Sequence, residues 1–289
     1  MPIAEQGYLH WQGRPTETHR PWRAITRLGL RLAFKRKNFK FAFGVSLMPA
    51  VVFSIGVYLA ETINNFKVTM GGRRQLLAVD PAYFRTYFTS DFLLFMMLML
   101  MVLAGAGLIA DDLRSNSLQL YFARPIRKRD YLLGKAGVTS FFLLLMTLVP
   151  GTLFIILKLI FSGSLRFLGQ YPWLPLAVAA YSLVLTVFFT LFTLAVSSLG
   201  KNRRFTSIML FLIYIFSDVF FGVFSGSFHR PEFCWLSIKA NLQQVGAAIF
   251  RAPLPYDASW IVSALILAAL SVGAALLLVR RVRSVEVIR

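Results

Sequence analysis

Six long apolar runs, each almost free of charge, set the pattern of this chain, and polar stretches rich in lysine and arginine separate them. A helix rises about 1.5 Å per residue and a bilayer core is about 30 Å thick, so each run is long enough to cross a membrane. The pattern predicts an all-α integral membrane protein. Its six transmembrane helices are expected at residues 41–60, 93–110, 139–157, 174–199, 205–224 and 260–279.

The segment before the first run divides in two. Residues 1–19 have no apolar period and are predicted to form a flexible tail. Residues 20–40 are amphipathic from Pro21, a residue suited to the first helical turn. We predict an amino-terminal interfacial helix bound to membrane lipid, with a helix packed on a soluble partner as the alternative. Its apolar face consists of Trp22, Ile25, Leu28 and Leu32, and its basic face of Arg23, Arg27, Arg31 and Lys35.

Two short helices are predicted in the external segments 61–91 and 225–259. In the first, Asp80 and Pro81 are typical of an N-cap and a first helical residue. The aromatic face of that helix is expected at the outer membrane boundary. The second is predicted as a surface helix from an apolar i, i+4, i+7 repeat. The two faces consist of Tyr83, Phe84, Tyr87 and Phe88, and of Ile238, Leu242, Val245 and Ile249.

Composition agrees with a membrane protein and excludes a soluble one. The chain is 57% hydrophobic and 15% charged, and its mean hydropathy is +0.65. A soluble domain of this size is less apolar. The first forty residues have no short apolar segment followed by a small-residue cleavage site, so we expect the amino terminus to be retained.

The net charge of +19 follows membrane topology. Of the lysines and arginines, nine precede residue 41, six lie in 111–138, three in 200–204 and four in the basic tail after residue 279. The connections after the first, third and fifth runs hold only eight. This bias predicts that both termini are cytoplasmic. Nucleic acid is excluded as a partner, because the basic residues flank apolar runs instead of alternating with stacking aromatics.

The sequence carries no recognisable catalytic motif. There is no phosphate-binding loop, since Gly134-Lys135 lacks both the preceding glycine and the following hydroxyl residue. There is also no H-E-x-x-H or G-x-S-x-G motif, and the lone Cys234 has no partner for a disulfide or a metal site. We therefore predict a non-catalytic chain that binds no cofactor or metal.

The charged insert between the second and third runs, residues 111–138, is the most informative part of the chain. Ser117 is suited to cap a short helix with an apolar face, and Pro125 would end that helix by pushing the preceding residue out of the α region. The insert contains D-x-x-x-x-S-L-x-x-x-x-A-R-P-I-x-K-x-D-Y-L-L-G-K, beginning at Asp112. This pattern resembles the first cytoplasmic loop of type-2 ABC export permeases, where the loop forms a coupling helix that touches the ATP-hydrolysing subunit.

The resemblance implies which residues of this coupling loop contact the ATPase. The candidates are Asp111, Asp112, Arg114, Asn116, Ser117, Leu118, Tyr121, Phe122, Arg124 and Pro125. Two positions depart from the family pattern. Asn116 stands where glycine is common, although Asn tolerates a left-handed turn, and Arg127 stands where a small residue is common.

The resemblance also implies the assembly. It indicates the permease subunit of an ABC exporter, paired with a second permease copy or a paralogue and with separate ABC ATPase subunits that hold ATP and magnesium. We expect it in the cell membrane, as a multi-pass protein of a bacterial inner membrane. The competing interpretations are an ATP-independent transporter or channel, and a membrane anchor that recruits a cytoplasmic partner. The substrate is open.

Two ionisable residues lie inside the predicted bilayer. Asp218 is about 20 Å from the cytoplasmic end of the fifth run, where an unpaired carboxylate is costly. Lys158 lies near the outer end of the third run. We weigh two alternatives for Asp218, a residue of the transport pathway or a structural ion pair with Lys158.

Overall fold

The computed structural model describes residues 20–69, 79–117, 126–200, 202–228 and 230–283, and every regular element in these ranges is a helix. The α-helices are Pro21–Lys35, Lys37–Ser46, Met48–Thr69, Pro81–Phe88, Asp91–Leu100, Gly107–Arg114, Lys128–Ser162, Arg166–Gln170, Leu174–Leu199, Arg203–Phe228, Ile238–Ile249 and Trp260–Arg283. A π-helical turn occupies Met101–Gly105, and a 3-10 helix occupies Pro231–Leu236.

Six helical segments are long and apolar enough to cross a membrane, which confirms the predicted all-α membrane fold. They are span 1 (Lys37–Ile63), span 2 (Asp91–Arg114), span 3 (Lys128–Ser162), span 4 (Leu174–Leu199), span 5 (Arg203–Phe228) and span 6 (Trp260–Val282). All but span 4 extend beyond the predicted apolar runs, because polar residues at the ends continue the helices.

Spans 2, 3 and 4 form the centre of the bundle. In an apolar 18-residue stretch of each span, buried residues make up 56%, 44% and 56% in spans 2, 3 and 4, against 17%, 11% and 17% in spans 1, 5 and 6. Span 3 packs against span 1 and span 4. Span 4 also packs against span 6 and against the last part of span 2, Gly107–Arg114. The outer three spans therefore present most of their surface to lipid or to other chains.

The interfacial helix, Pro21–Lys35, is present with proline in its first turn. One side packs on span 3, where Thr26 donates a hydrogen bond to the Gly134 carbonyl at 2.9 Å and Ile25 is buried. A methyl group at Gly134 would collide with Ile25, so glycine permits this close approach. Leu28 and Leu32 stay about half exposed, at 52% and 48%. The predicted apolar face is thus divided between a protein contact and a free surface.

The outer helix, Pro81–Phe88, begins as predicted, with the Asp80 carboxylate accepting from the Tyr83 amide at 3.0 Å. The prediction that its aromatic face lies against the membrane boundary is wrong, because Phe84, Tyr87 and Phe88 are fully buried inside the protein. The Tyr87 hydroxyl donates to the Met146 carbonyl of span 3 at 2.7 Å. With the Tyr87 hydroxyl bonded to a backbone carbonyl and the two phenylalanine rings buried beside it, this aromatic face is part of the core.

The connecting helix, Ile238–Ile249, also exists but does not lie on the surface as predicted. It packs among spans 4, 5 and 6, and Asn241 and Gln244 on it are fully buried. Their amide groups donate to backbone carbonyls, as when Gln244 bonds to Ala258 at 2.6 Å. The Tyr181 hydroxyl of span 4 donates to the Leu242 carbonyl at 2.8 Å. Internal hydrogen bonds satisfy the NH2 groups of both amides, which lowers the cost of burying the helix.

One end of the bundle gathers the basic segments. The interfacial helix packs on the first turns of span 3, and the end of span 6 packs there too, with Leu278 and Val282 against Ile109 and Leu194. The roots of the coupling loop and the start of span 5 lie at this same end. The other end carries the outer helix.

Phe154 tests the buried aromatic core. Its ring is fully buried among the rings of Phe53, Tyr83, Phe84 and Tyr87, at centroid distances from 4.8 to 6.5 Å. Phe154→Ala should lower the free energy of unfolding by about 3–5 kcal/mol, because it leaves a cavity. Phe141→Ala, in the same span but 42% exposed, is the matched control and should cost much less. Thermal unfolding in detergent measures both, and equal losses would contradict this packing.

Candidate functional site

The coupling loop is described at its two roots, residues 111–117 and 126–138. Leu118, Tyr121, Phe122, Arg124 and Pro125, predicted to contact the ATPase, lie outside the described residues, so their role stays a prediction. The site can therefore be built from the roots, which determine how the loop is attached to spans 2 and 3.

The upstream root ends span 2 in a tight turn. Asn116 adopts a left-handed conformation with φ of 53°, the geometry that its tolerance of such turns predicts. The Ser115 hydroxyl donates to the Asp111 carbonyl at 2.8 Å and lies 2.8 Å from the Ser117 hydroxyl. The Ser117 hydroxyl donates in turn to the Asp112 carbonyl at 3.3 Å. The turn is thus held by its own side chains.

The two roots are joined through Asp112. One of its carboxylate oxygens lies 2.7 Å from the Lys135 ammonium and accepts a hydrogen bond from the Tyr131 hydroxyl, also at 2.7 Å. Tyr131 and Lys135 are four residues apart on the first turns of span 3, so they share one face. The side chains of Asp112 and Lys135 are 17% and 11% exposed. This contact clamps the end of span 2 to the start of span 3.

Asp111 and Asp112 point to different neighbours, as expected for adjacent residues on a helix. Asp111 is exposed, and it lies beside Gly107 and the aliphatic part of Arg203 from span 5. Arg114 is exposed as well. Tyr131 and Lys135 were not predicted as site residues, although their i, i+4 spacing downstream of an acidic residue is a signal that could have identified them.

Span 2 is irregular just inside this clamp, and other spans support it there. At the π-helical turn the Ala106 amide bonds to the Met101 carbonyl, five residues back. The Ser197 hydroxyl of span 4 donates to the Ala106 carbonyl at 2.8 Å and accepts from the Ile109 and Ala110 amides, both at 3.1 Å. Span 4 thus replaces helical hydrogen bonds of span 2, and the two spans are joined at this level.

Asp218 and Lys158 do not pair with each other, so the predicted structural pair is wrong. Lys158 of span 3 pairs with Glu61 of span 1. Asp218 pairs with Lys239 of the connecting helix at 2.8 Å and accepts from the Ser237 hydroxyl at 3.0 Å. Glu61 was assigned to an external segment, but the helix of span 1 continues past it and carries it to Lys158.

Lys239 belongs to a polar cluster on the side of the bundle where span 2 begins, away from the coupling loop. Besides Asp218, it lies 3.5 Å from Asp91, the first residue of span 2. The Gln243 amide donates to Asp91 at 2.8 Å. Burial alone lowers the pKa of Lys239, but its hydrogen bond to Asp218 and the charges of Asp218 and Asp91 outweigh burial, so the pKa is raised. The cluster ties spans 2 and 5 to the connecting helix.

No group of three or more His, Cys, Asp or Glu side chains in the described ranges is arranged to hold a metal ion. The contacts described at this site are ionic and hydrogen-bonded ties between helices.

Comparison with protein-family models gives a match. A family model described as ABC-2 family transporter protein matches residues 50–280, which include the coupling loop and most of the six spans. No curated protein matches the chain.

The Asp112 clamp predicts a stability difference between two adjacent carboxylates. Asp112→Asn removes the charge that Lys135 faces and should lower the free energy of unfolding by about 1.5–3 kcal/mol. Asp111→Asn alters an exposed side chain next to it and should change stability by no more than about 0.5 kcal/mol. Thermal unfolding of the full chain in detergent tests this contrast, and equal effects of the two substitutions would refute the clamp.

The partners of Asp218 can be tested by double-mutant cycles. Asp218→Asn combined with Lys239→Met should show a coupling energy of about 0.5–3 kcal/mol, since the residues are in contact. Asp218→Asn combined with Lys158→Met should be additive within about 0.5 kcal/mol. Lys158→Met combined with Glu61→Gln is the positive control, because these two residues are in contact and should show coupling. Coupling between Asp218 and Lys158 would instead support the pair predicted from sequence.

Proposed function

This chain belongs to the ABC-2 family of transporter proteins and is a membrane permease component, and from that premise we propose that it exports its substrate with energy from a separate ATPase subunit. The ATPase would dock on the coupling loop at the cytoplasmic end of the bundle. ATP binding and hydrolysis there would move the loop, and the loop would move the spans.

The observation that carries this proposal is the attachment of the loop. Asp112, at the end of span 2, is clamped to Tyr131 and Lys135 at the start of span 3. A loop on two untied helices would bend locally under an applied displacement. Because its roots are clamped together, a displacement of the loop instead acts on the two spans as one body.

The clamp continues into the bundle. Ser197 joins span 4 to span 2 near the π-helical turn, and Arg203 of span 5 donates to the Leu103 carbonyl of span 2 at 2.7 Å. Movement of the loop would therefore reach the central spans 2, 3 and 4 and the start of span 5. This supports rigid-body rocking of the bundle as the transport step.

ATP and magnesium are assigned to the partner subunit. The sequence has no phosphate-binding loop, and Lys135 of the Gly134-Lys135 dipeptide lies 2.7 Å from Asp112. The permease would contribute no catalytic residue. Its part in the cycle is mechanical.

A second permease copy or a paralogue is proposed as the other membrane partner. Span 5 is the least buried span, since only 11% of an apolar 18-residue stretch of it is buried within the chain. Four rings follow one another along its outer half at centroid distances of 6.2, 6.4 and 6.0 Å. These exposed rings belong to Phe216, Phe220, Phe224 and Phe228. Such a row is suited to packing against another span as well as to lipid, which supports a dimer through this side.

The orientation proposed for this multi-pass membrane protein has both termini in the cytoplasm of a bacterial cell, in the inner membrane. The end of the bundle that carries the coupling loop also gathers the interfacial helix, the start of span 5 and the end of span 6. These segments hold most of the lysines and arginines of the chain. The positive-inside rule favours the cytoplasmic side for this end.

Docking is tested by purifying the tagged full chain from its native membrane in mild detergent. A protein with a phosphate-binding loop should co-purify with the wild type. Tyr121→Asp with Phe122→Asp should reduce its recovery about tenfold or more, because charges replace the predicted apolar contact face. The control is Asn38→Asp, which adds a negative charge at an exposed position at the same end of the bundle.

Two results would count against the proposal. Undiminished recovery and ATPase coupling with the double variant would remove the assigned contact face. If no nucleotide-binding protein accompanies the wild type, an ATP-independent transporter or a membrane anchor becomes the better interpretation.

A further inference from the structure

Two arginine side chains from different spans converge on one carbonyl oxygen. Arg203, the first residue of span 5, donates to the Leu103 carbonyl at 2.7 Å, and Arg36, directly before span 1, donates to the same oxygen at 3.4 Å. The two donor nitrogens are therefore no more than about 6 Å apart. Leu103 lies in the π-helical turn of span 2. Three spans meet at this point.

The two guanidinium groups carry more positive charge than their surroundings offset. No carboxylate among the described residues forms an ion pair with either of them. Asp111 lies beside Gly107 and the aliphatic part of Arg203, and Asp112 is already paired with Lys135. One unpaired carboxylate thus accompanies two arginines. Like charges this close repel each other, so the pair favours an anion.

The same end of the bundle has a cleft that suits a lipid headgroup. It encloses about 160 Å³, and its lining includes Leu28 and Leu32 of the interfacial helix together with Arg36, Asp111, Asp112 and Lys135. Asp112 and Lys135 pair with each other, so Arg36 and Asp111 are the charges that remain, and Arg203, which lies beside Gly107 of the lining, makes the local balance positive. The two leucines are about half exposed, at 52% and 48%, and give the cleft an apolar border, as an interfacial helix has where it meets phosphate groups and acyl chains.

We propose that Arg36 and Arg203 bind the phosphodiester group of an anionic lipid from the leaflet at this end of the bundle. A charge-assisted hydrogen bond from nitrogen to phosphate oxygen spans about 2.8 Å, so one phosphate can accept from both groups at this separation. The planar guanidinium matches phosphate better than an ammonium does. The acyl chains would lie along Leu28 and Leu32.

The bound lipid would have a mechanical consequence. It would join the start of span 1, the π-helical turn of span 2 and the start of span 5 through one phosphate. These are the elements next to the clamped roots of the coupling loop. Stability of the permease would then depend on the headgroup charge of the surrounding lipid. The site lies within this chain and does not require the ATPase.

The test uses the full chain in a neutral detergent, titrated with short-chain phosphatidylglycerol, with short-chain phosphatidylcholine, or with sodium phosphate. Phosphatidylglycerol should raise the unfolding midpoint of the wild type by several degrees, whereas the other two should have little effect. In Arg36→Gln with Arg203→Gln the concentration for half-maximal stabilisation should rise about tenfold or more, because two charge-assisted hydrogen bonds are lost. The matched control is Lys37→Gln with Arg204→Gln, which removes the same charge one position along the chain, at exposed residues.

Four outcomes would overturn the proposal. Phosphatidylglycerol could stabilise the double variant as well as the wild type, or the control could lose the effect equally, which would indicate general charge attraction. Sodium phosphate could stabilise as strongly as the lipid, which would indicate a site for soluble phosphate. If the double variant does not fold, Arg36→Gln alone decides, since its side chain is exposed. An unchanged lipid response in that variant overturns the site.

Discussion

In a membrane-spanning chain, buried polar groups require hydrogen-bond partners from protein, because the bilayer core has no water to offer. Regular helices meet this requirement for most of the backbone. Where the helices are interrupted, side chains from neighbouring spans take over. Ser197 bonds to three backbone groups of span 2 next to its π-helical turn, and Gln244 bonds to the chain that leads into span 6. The positions of the spans relative to one another depend on these side-chain hydrogen bonds.

The same requirement governs the charged residues. Asp112 with Lys135, Glu61 with Lys158, and Asp218 with Lys239 are each a pair between two different helical elements. An ionised side chain in an apolar setting is costly unless it is paired, so each pair holds its two helices in one register. The Asp112–Lys135 and Glu61–Lys158 pairs lie near span ends, and Asp218 is brought close to Asp91, the first residue of span 2, by their shared partner Lys239.

This arrangement is suited to a permease that works by rigid-body movement. The end that carries the coupling loop is tied together by the clamp and by Ser197, while the opposite end is tied by the cluster around Lys239. Between them, packing of apolar and aromatic side chains in spans 2, 3 and 4 resists bending. Spans 1, 5 and 6 remain exposed along most of their length, which leaves them available to lipid and to a second membrane subunit.

The sequence by itself determined the number of spans, the interfacial helix, the Asp80 cap, the left-handed turn at Asn116 and the family motif of the coupling loop. These are properties of single segments, set by hydropathy, helical period and local backbone preference. Only the tertiary structure decided that the aromatic outer helix and the connecting helix are buried, and that Lys158 and Asp218 have Glu61 and Lys239 as partners. The reason is physical. An apolar face suits lipid and protein equally well in a membrane, and the partner of a charge depends on which helices become neighbours.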